Sequence, residues 1–228
     1  MSLPLLLLRP QPGNNATAER AREMGLTVIQ IPLFDILPAD GGPLPAGPYD
    51  ALLLTSINGV RFGATIMRSF ADLPAYAVGE ATAYAARLAG HAQVITGGGD
   101  AQSTAAMMAA DGRRNVLHIA GEDVRPFDSQ GVGIVRHVVY RTILRDTAAV
   151  RTALNGLGPL VVAVHSPRAA IQFASLVPAT RRMRIHVAAI SEAAARLCGK
   201  GWASVAIATK PDDTALLHCV ETLCIRAG

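Results

Sequence analysis

Residues Ala51–Val60 read ALLLTSINGV, and this stretch decides the fold. An apolar run ends at Thr55-Ser56, and Asn58-Gly59 then opens a segment in which Val60, Ile66, Met67 and Phe70 fall near helical spacing. A short continuous apolar run bounded by small polar residues reads as a buried parallel strand, here entering a helix through a polar turn. The same grammar returns at Leu160–Ile171, LVVAVHSPRAAI, where an apolar run, a serine and a helical continuation through Ile171, Phe173 and Leu176 follow one another. The strand–turn–helix unit is therefore duplicated.

Working outward, Pro74–Gly90 (PAYAVGEATAYAARLAG) matches His186–Gly201 (HVAAISEAAARLCGKG), and Leu5–Phe34 resembles Val116–Thr142 more weakly. Two similar α/β halves follow from this repeat. The chain has 228 residues, 50% hydrophobic and only 17% charged, enough material for two cores.

Strands are expected at Leu5–Leu8, Leu26–Ile31, Leu52–Leu54, Tyr76–Val78, Gln93–Ile95, Val116–Ile119, Ile134–Val139, Val161–Val164, Val187–Ile190 and Ser204–Ile207. Helices alternate with them. The first spans about Ala16–Met24, capped by Asn14 or Asn15 and ended by Gly25, and the last runs near Asp213–Ile225. Pro32–Pro48, rich in Pro and Gly, reads as a connector, and Tyr140-Arg141-Thr142 stands at the exit of its strand. Such alternation predicts parallel sheets covered on both faces.

Several function classes are disfavoured. The net charge of +4 suits an anionic ligand, but the basic residues are dispersed, with no nucleic-acid motif among them. Their densest group, Arg181-Arg182 with Arg184, reads as a solvated loop. The Leu3–Leu8 run is too short for a membrane span or signal core, so cytoplasmic residence is the default expectation. Cys198, Cys219 and Cys224 form no C-x-x-C and read as buried thiols. Gly97-Gly98-Gly99-Asp100 lacks a following G-K-[ST] and reads as a loop. The six histidines show no metal-ligand spacing, and neither metal nor nucleotide cofactor is expected. His165 adjoins Ser166, yet neighbours in an extended chain point to opposite sides, which argues against a nucleophile–base pair.

In open parallel sheets the ligand crevice lies beyond the carboxyl ends of the strands. The small polar turns fall at those ends: Arg9, Thr55-Ser56 with Asn58 beyond, Gly79 to Thr82, Ala120-Gly121, Ser166-Pro167 and Ser191-Glu192. Amides and hydroxyls at helix N-termini there can hold carboxylates or phosphates without a cationic side chain. Each such residue also serves as an ordinary helix cap.

The order of these turns resembles the uroporphyrinogen-III synthase family. The matching pieces are LLLRP (Leu6–Pro10), LLLTSINGV (Leu52–Val60), AVGEATAYAARLAG (Ala77–Gly90), IAGEDVR (Ile119–Arg125), VVYRT (Val138–Thr142), HSPRAAIQF (His165–Phe173) and AAISEAAARL (Ala188–Leu197). The resemblance implies two similar α/β domains, each a parallel sheet flanked by helices, joined by a two-stranded hinge with a cleft between them. One domain would comprise residues 1–34 and 144–228, the other residues 35–143. The implied activity is the cofactor-free cyclisation of hydroxymethylbilane, with loss of water and inversion of its terminal pyrrole ring. The resemblance implies a monomer and a transient hand-over from the enzyme that makes the bilane.

By the same resemblance, Tyr140 assists departure of the hydroxyl as the catalytic residue. Thr82 and Ser166 match family positions that face the cleft, and Ser56, Gly79, Gly121 and Ser191 lie in matching turns. The strand-end reading adds Arg9, Thr55, Asn58, Ala120 and Pro167 to the substrate site, with Arg9, Arg61 or Arg168 as auxiliary cations for substrate carboxylates. The chain departs from the family pattern at SEAAARL, where Ser191 replaces a glycine and Ala194 a common threonine. The rival expectation is a non-catalytic binding or regulatory module for an anionic small molecule, built on the same strand-end donors.

Overall fold

The computed structural model describes residues 2–226. Met1, Ala227 and Gly228, at the ends of the expected first domain, lie outside the described residues. In chain order the elements are β1 (Leu5–Leu7), α1 (Gly13–Glu23), β2 (Val28–Gln30), β3 (Phe34–Pro38), β4 (Ala51–Leu54), α2 (Ile57–Ser69), β5 (Ala75–Ala77), α3 (Glu80–Leu88), β6 (Val94–Thr96) and α4 (Ala101–Ala110). There follow β7 (Asn115–Gly121), β8 (Gly133–Leu144), α5 (Thr147–Asn155), β9 (Leu160–Val164), α6 (Pro167–Leu176), α7 (Ala179–Arg182), β10 (Ile185–Ala189), α8 (Glu192–Leu197), β11 (Ser204–Ile207) and α9 (Asp213–Arg226).

The chain divides into two compact units, Met1–Asp35 with Ile143–Gly228, and Ile36–Thr142. In the first, the strands lie in the order β2-β1-β9-β10-β11, all parallel. Leu6 and Leu8 point into a core closed by α5, α6 and α8, while Leu5 and Leu7 point into one closed by α1 and α9. Alternate residues enter opposite cores, so the whole run must be apolar. Each of these leucines is 0% exposed, worth about 2 kcal/mol of burial apiece.

The second unit repeats the plan, with β8-β7-β4-β5-β6 parallel. Leu52 and Leu54 face the core under α2 and α3, whereas Ala51 and Leu53 face the one under α4. The expected fold class is thus observed: two similar units, each a mainly parallel sheet flanked by helices. Gly25 and Gly90 follow α1 and α3 with φ of +78° and +87°, a conformation in which a side chain would be strained.

Three local expectations are corrected. The Pro32–Pro48 connector contains β3, which lies beside β8 at the edge of the second sheet. Ala39 N–H donates to Val139 O and Arg145 N–H to Leu33 O, so this pair runs antiparallel. Neither Asn14 nor Asn15 caps α1, because Pro12 holds the N-cap position. Asn14 is instead buried within α1, donating its amide to the carbonyls of Arg9 (2.7 Å) and of Leu7 (3.3 Å), which also accepts the Ile31 N–H.

The third correction concerns Arg181 and Arg182, which lie in α7 and are not a solvated group. Arg181 donates to the carbonyls of Leu154 and Leu157. Arg182 donates to those of Ala174, Val177 and Lys200, and its guanidinium lies 4.9 Å from the centre of the Trp202 ring. A planar fork of donors can serve several carbonyls at helix and loop ends at once.

Candidate functional site

Both sheets reverse strand order at one place, between β1 and β9 in the first unit and between β7 and β4 in the second. Doubly wound sheets bind ligands at this reversal, outside the carboxyl ends of the strands. The predicted residues Arg9 and Ser166 stand at the first reversal, and Ser56 and Gly121 at the second.

In the second unit Ser56 is extended (φ −159°, ψ 154°) and caps α2, its Oγ accepting the Gly59 N–H at 3.0 Å. Gly59 and Gly63 lie one turn apart on the face of α2 that meets β7. A Cβ at Gly59 would stand 2.8 Å from Ile119 O, and one at Gly63 would strike the Ile119 side chain. Their bareness lets α2 approach the sheet closely. Ser56 Oγ then lies 3.0 Å from the Tyr140 hydroxyl.

Tyr140 is inside β8 rather than at its exit, since the strand continues to Leu144. Its position depends on a bulge: Ala120 pairs with Val138, but Gly121 pairs with Tyr140. The extra residue brings Val139 and Tyr140 to the same core, beneath α2. There the Tyr140 ring stacks on Phe62, with centroids 6.0 Å apart and planes at 26°. A Cβ on Gly121 would lie 2.5 Å from Tyr140 Cζ and 2.8 Å from its oxygen, so this ring position requires glycine. Arg61 lies 4.9 Å from the centre of Phe62. Phe62 carries no distinguishing signal in the sequence, where it reads as one more apolar helix position.

Thr55 Oγ1 lies 2.9 Å from Nε2 of His118, a 2% exposed residue of β7. Burial, reinforced by the charge of Arg136, pushes the His118 imidazole down to about 4. The signal that could have found His118 is a lone polar residue within an apolar strand. Arg136, with Val138 and Arg141, lines a groove of about 670 Å³ that also takes in Pro38, Asp40, Gly41 and Glu122.

The other predicted residues of this unit hold single positions. Gly79 precedes α3 in extended conformation, Thr82 is 6% exposed on the buried side of α3, Asn58 is half-buried in the first turn of α2, and Ala120 is buried in β7.

In the first unit Ser166 (φ −162°, ψ 155°) caps α6 by accepting from Ala169 N–H at 3.1 Å, with Pro167 in the first helical turn. Ser191 caps α8 through Ala194 N–H at 3.3 Å. Arg9 is bound into an internal network. Its Nη1 donates to Thr17 Oγ1 (2.9 Å) and Asp213 Oδ1 (3.1 Å), and Asp213 also receives Thr17, Arg20 and His165 Nε2 (2.9 Å). Burial pushes the Asp213 carboxyl up, but the His165 and Arg20 hydrogen bonds and nearby positive charge outweigh it and hold it well below the usual range. His165 thus partners Asp213, not Ser166.

The two reversals therefore differ. Ion pairing fills the first, whereas the second presents a phenol among small residues. Helix N-termini with hydroxyl caps stand at the strand ends of both. Among the described residues, no group of three His, Cys, Asp or Glu could hold a metal, and no helix is long and apolar enough to cross a membrane.

Fold and site together define a protein of two doubly wound α/β units with donor-rich strand ends. The family model for uroporphyrinogen-III synthase HemD matches residues 15–218, and the chain belongs to that family. Among solved structures, it is similar to uroporphyrinogen-III synthetase from Helicobacter pylori, with 19% identity over 97% of this chain and 99% of that one and a TM-score of 0.68. It is also similar to a mutant uroporphyrinogen III synthase from the extremely thermophilic bacterium Thermus thermophilus, with 15% identity over 99% of this chain and 100% of that one and a TM-score of 0.59. None of the curated proteins matches the sequence.

Proposed function

We propose that the chain is a uroporphyrinogen-III synthase, closing hydroxymethylbilane with inversion of the terminal pyrrole. The observation carrying this reading is Tyr140, held at the strand reversal of the second unit by Ser56, Gly121 and Phe62, in a chain of this family.

Tyr140 gives its proton to the hydroxymethyl oxygen, and the C–O bond breaks with its electron pair leaving in water. The pyrrole nitrogen supplies electrons to the carbon left behind, forming an azafulvene. That carbon is attacked by the substituted position of the last ring, and the spiro intermediate fragments and recloses as the type III isomer. The proton lost at rearomatisation balances the one that Tyr140 gave. The bilane also closes unaided to the type I isomer, so the protein acts chiefly by holding geometry and stabilising developing charge.

In the second unit strand-end amides at α2 and α3, with the Thr55 hydroxyl, are the donors for substrate carboxylates, and in the first the amides at α6 and α8, with hydroxyls from Ser166 and Ser191, are the matching donors; the Ser56 hydroxyl is taken up by Tyr140. Thr82, Asn58, Gly79, Ala120 and Pro167 shape these turns. Arg61 is the cation over the Phe62 face of the Phe62–Tyr140 stack, while Arg9 acts through its network with Asp213.

The test is a coupled assay. Hydroxymethylbilane is generated in situ, the protein is added, and the oxidised products are resolved into type I and type III uroporphyrins. A dominant type III peak above the spontaneous type I background supports the synthase. Type I alone, from protein shown to be folded, overturns it in favour of a binding module.

A further inference from the structure

The role of Tyr140 requires its proton to be directed at the substrate. Ser56 Oγ has one hydrogen and two lone pairs, and one lone pair already accepts the Gly59 N–H at 3.0 Å. The Tyr140 oxygen lies 3.0 Å from the same atom. If the phenol donated to Ser56, its proton would be spent inside the protein. If Ser56 donates, the phenol oxygen is held by an acceptor bond and its own O–H stays free.

We propose that Ser56 is a positioning residue, forming a donor chain that runs Gly59 N–H to Ser56 Oγ–H to the Tyr140 oxygen. This rests on the synthase reading and deepens it. Each member donates toward the next, so each bond polarises the one after it, beginning at the positive end of the α2 dipole. The chain ends at the Tyr140 O–H, which is left to the leaving hydroxyl of the substrate. When that proton departs, the phenolate keeps the Ser56 hydrogen bond. When the proton returns at rearomatisation, the chain is restored without any other group changing protonation.

Two features support the contact. Gly121 removes the side chain that would displace the Tyr140 oxygen, and the Phe62 stack fixes the ring plane, so the phenol is held where Ser56 reaches it. The duplicated turn offers a contrast: Ser166 makes the same cap, yet among the described residues no tyrosine hydroxyl bonds to it. Ser56 therefore carries a second contact that capping does not explain.

The test uses Ser56→Gly, because glycine at an N-cap retains most of the helix stability, and the extended Gly79 already precedes α3 that way. Full-length Ser56→Gly, Ser56→Thr, Tyr140→Phe and the Ser56→Gly/Tyr140→Phe double variant are compared in the bilane assay, with melting recorded for each. The chain predicts a kcat of type III formation lowered roughly tenfold in Ser56→Gly with KM unchanged. Ser56→Thr restores kcat, and the double variant is no slower than Tyr140→Phe alone. Asp100→Ala, which removes the cap of α4 in the same unit, leaves kcat unchanged.

An unaltered kcat in Ser56→Gly, or a double variant slower by the product of the single losses, overturns the donor chain while Tyr140 keeps its role. A fully active Tyr140→Phe removes the role of Tyr140 itself, and the donor chain with it.

Discussion

Ser56 and Ser166 adopt one backbone conformation, φ −159° and ψ 154° against φ −162° and ψ 155°, and each accepts the N–H of the third residue beyond it. Gly79 and Ser191, one strand further along each sheet, agree as well, with φ −158° at both. The duplicated turn is therefore retained in its backbone while its surroundings have diverged. In the second unit a bulged neighbouring strand supplies Tyr140, whereas the matching strand β2 of the first unit supplies Val28, Ile29 and Gln30.

Capping at Ser166 has a measurable consequence for stability. Ser166→Ala leaves the Ala169 N–H without its side-chain acceptor, at a cost of about 1 kcal/mol. Thermal melting should fall by about 2–4 °C for a chain of this size. Ser166→Asp keeps an acceptor at the helix N-terminus and should restore the wild-type value. Equal melting of Ser166→Ala and wild type would show that the cap contributes nothing.

His118 makes stability depend on pH. The unfolded chain takes up its proton near pH 6.5, but the folded chain does not until about 4. Because the unfolded state binds more protons between those values, stability is complete above pH 6.5 and declines as pH falls to 4. The decline attributable to this residue is about 3 kcal/mol. His118→Gln, which can still bond Thr55, should flatten the denaturant-derived stability profile across that window. Burial also lowers the His165 imidazole, against the Asp213 hydrogen bond, and this sets a further slope of the same sign, so the flattening is partial. An unchanged profile in His118→Gln would assign the acid sensitivity elsewhere.

Much of the fold was legible because strands buried on both faces read as unbroken apolar runs. Leu5–Leu8 and Leu52–Leu54 could not face water on alternate residues, so helices on both sides followed directly. The β3 strand was hidden because Pro38 and the glycines beyond it carry turn chemistry, and its pairing with β8 is long-range. The places of the candidate residues, at polar turns after apolar runs, were legible, but not their mutual contacts. Ser56 and Tyr140 stand 84 residues apart, and a one-residue bulge decides which face of β8 the phenol takes. Local periodicity carries no information about such a bulge. The roles of Arg181 and Arg182 escaped for the same reason, their carbonyl partners being set by tertiary packing.

Arg182 tests that last point. It serves three carbonyls and lies over the Trp202 ring, so Arg182→Ala should destabilise by roughly 2–3 kcal/mol. Arg182→Lys keeps the charge but loses the planar fork, and should recover less than half of that loss. Chemical denaturation followed by Trp202 fluorescence reads the change directly, because this is the only tryptophan. Full recovery by lysine would reduce the contribution of Arg182 to its charge.

Tyr140→Phe separates chemistry from packing. The ring remains stacked on Phe62 and above Gly121, and only the hydroxyl and its bond to Ser56 are lost. Stability should therefore change by no more than about 1 kcal/mol. Type III formation should fall about 10- to 100-fold, at the low end of general-acid effects because the bilane loses its hydroxyl unaided. Amides at the helix N-termini still hold the substrate, so KM should stay near the wild-type value while kcat carries the loss. The type I share then rises, since bilane that is not closed in time cyclises in solution. A variant that melts like wild type but yields mostly type I places the phenol in the chemical step. One that yields type III at the wild-type rate assigns the whole effect to geometry held by the backbone.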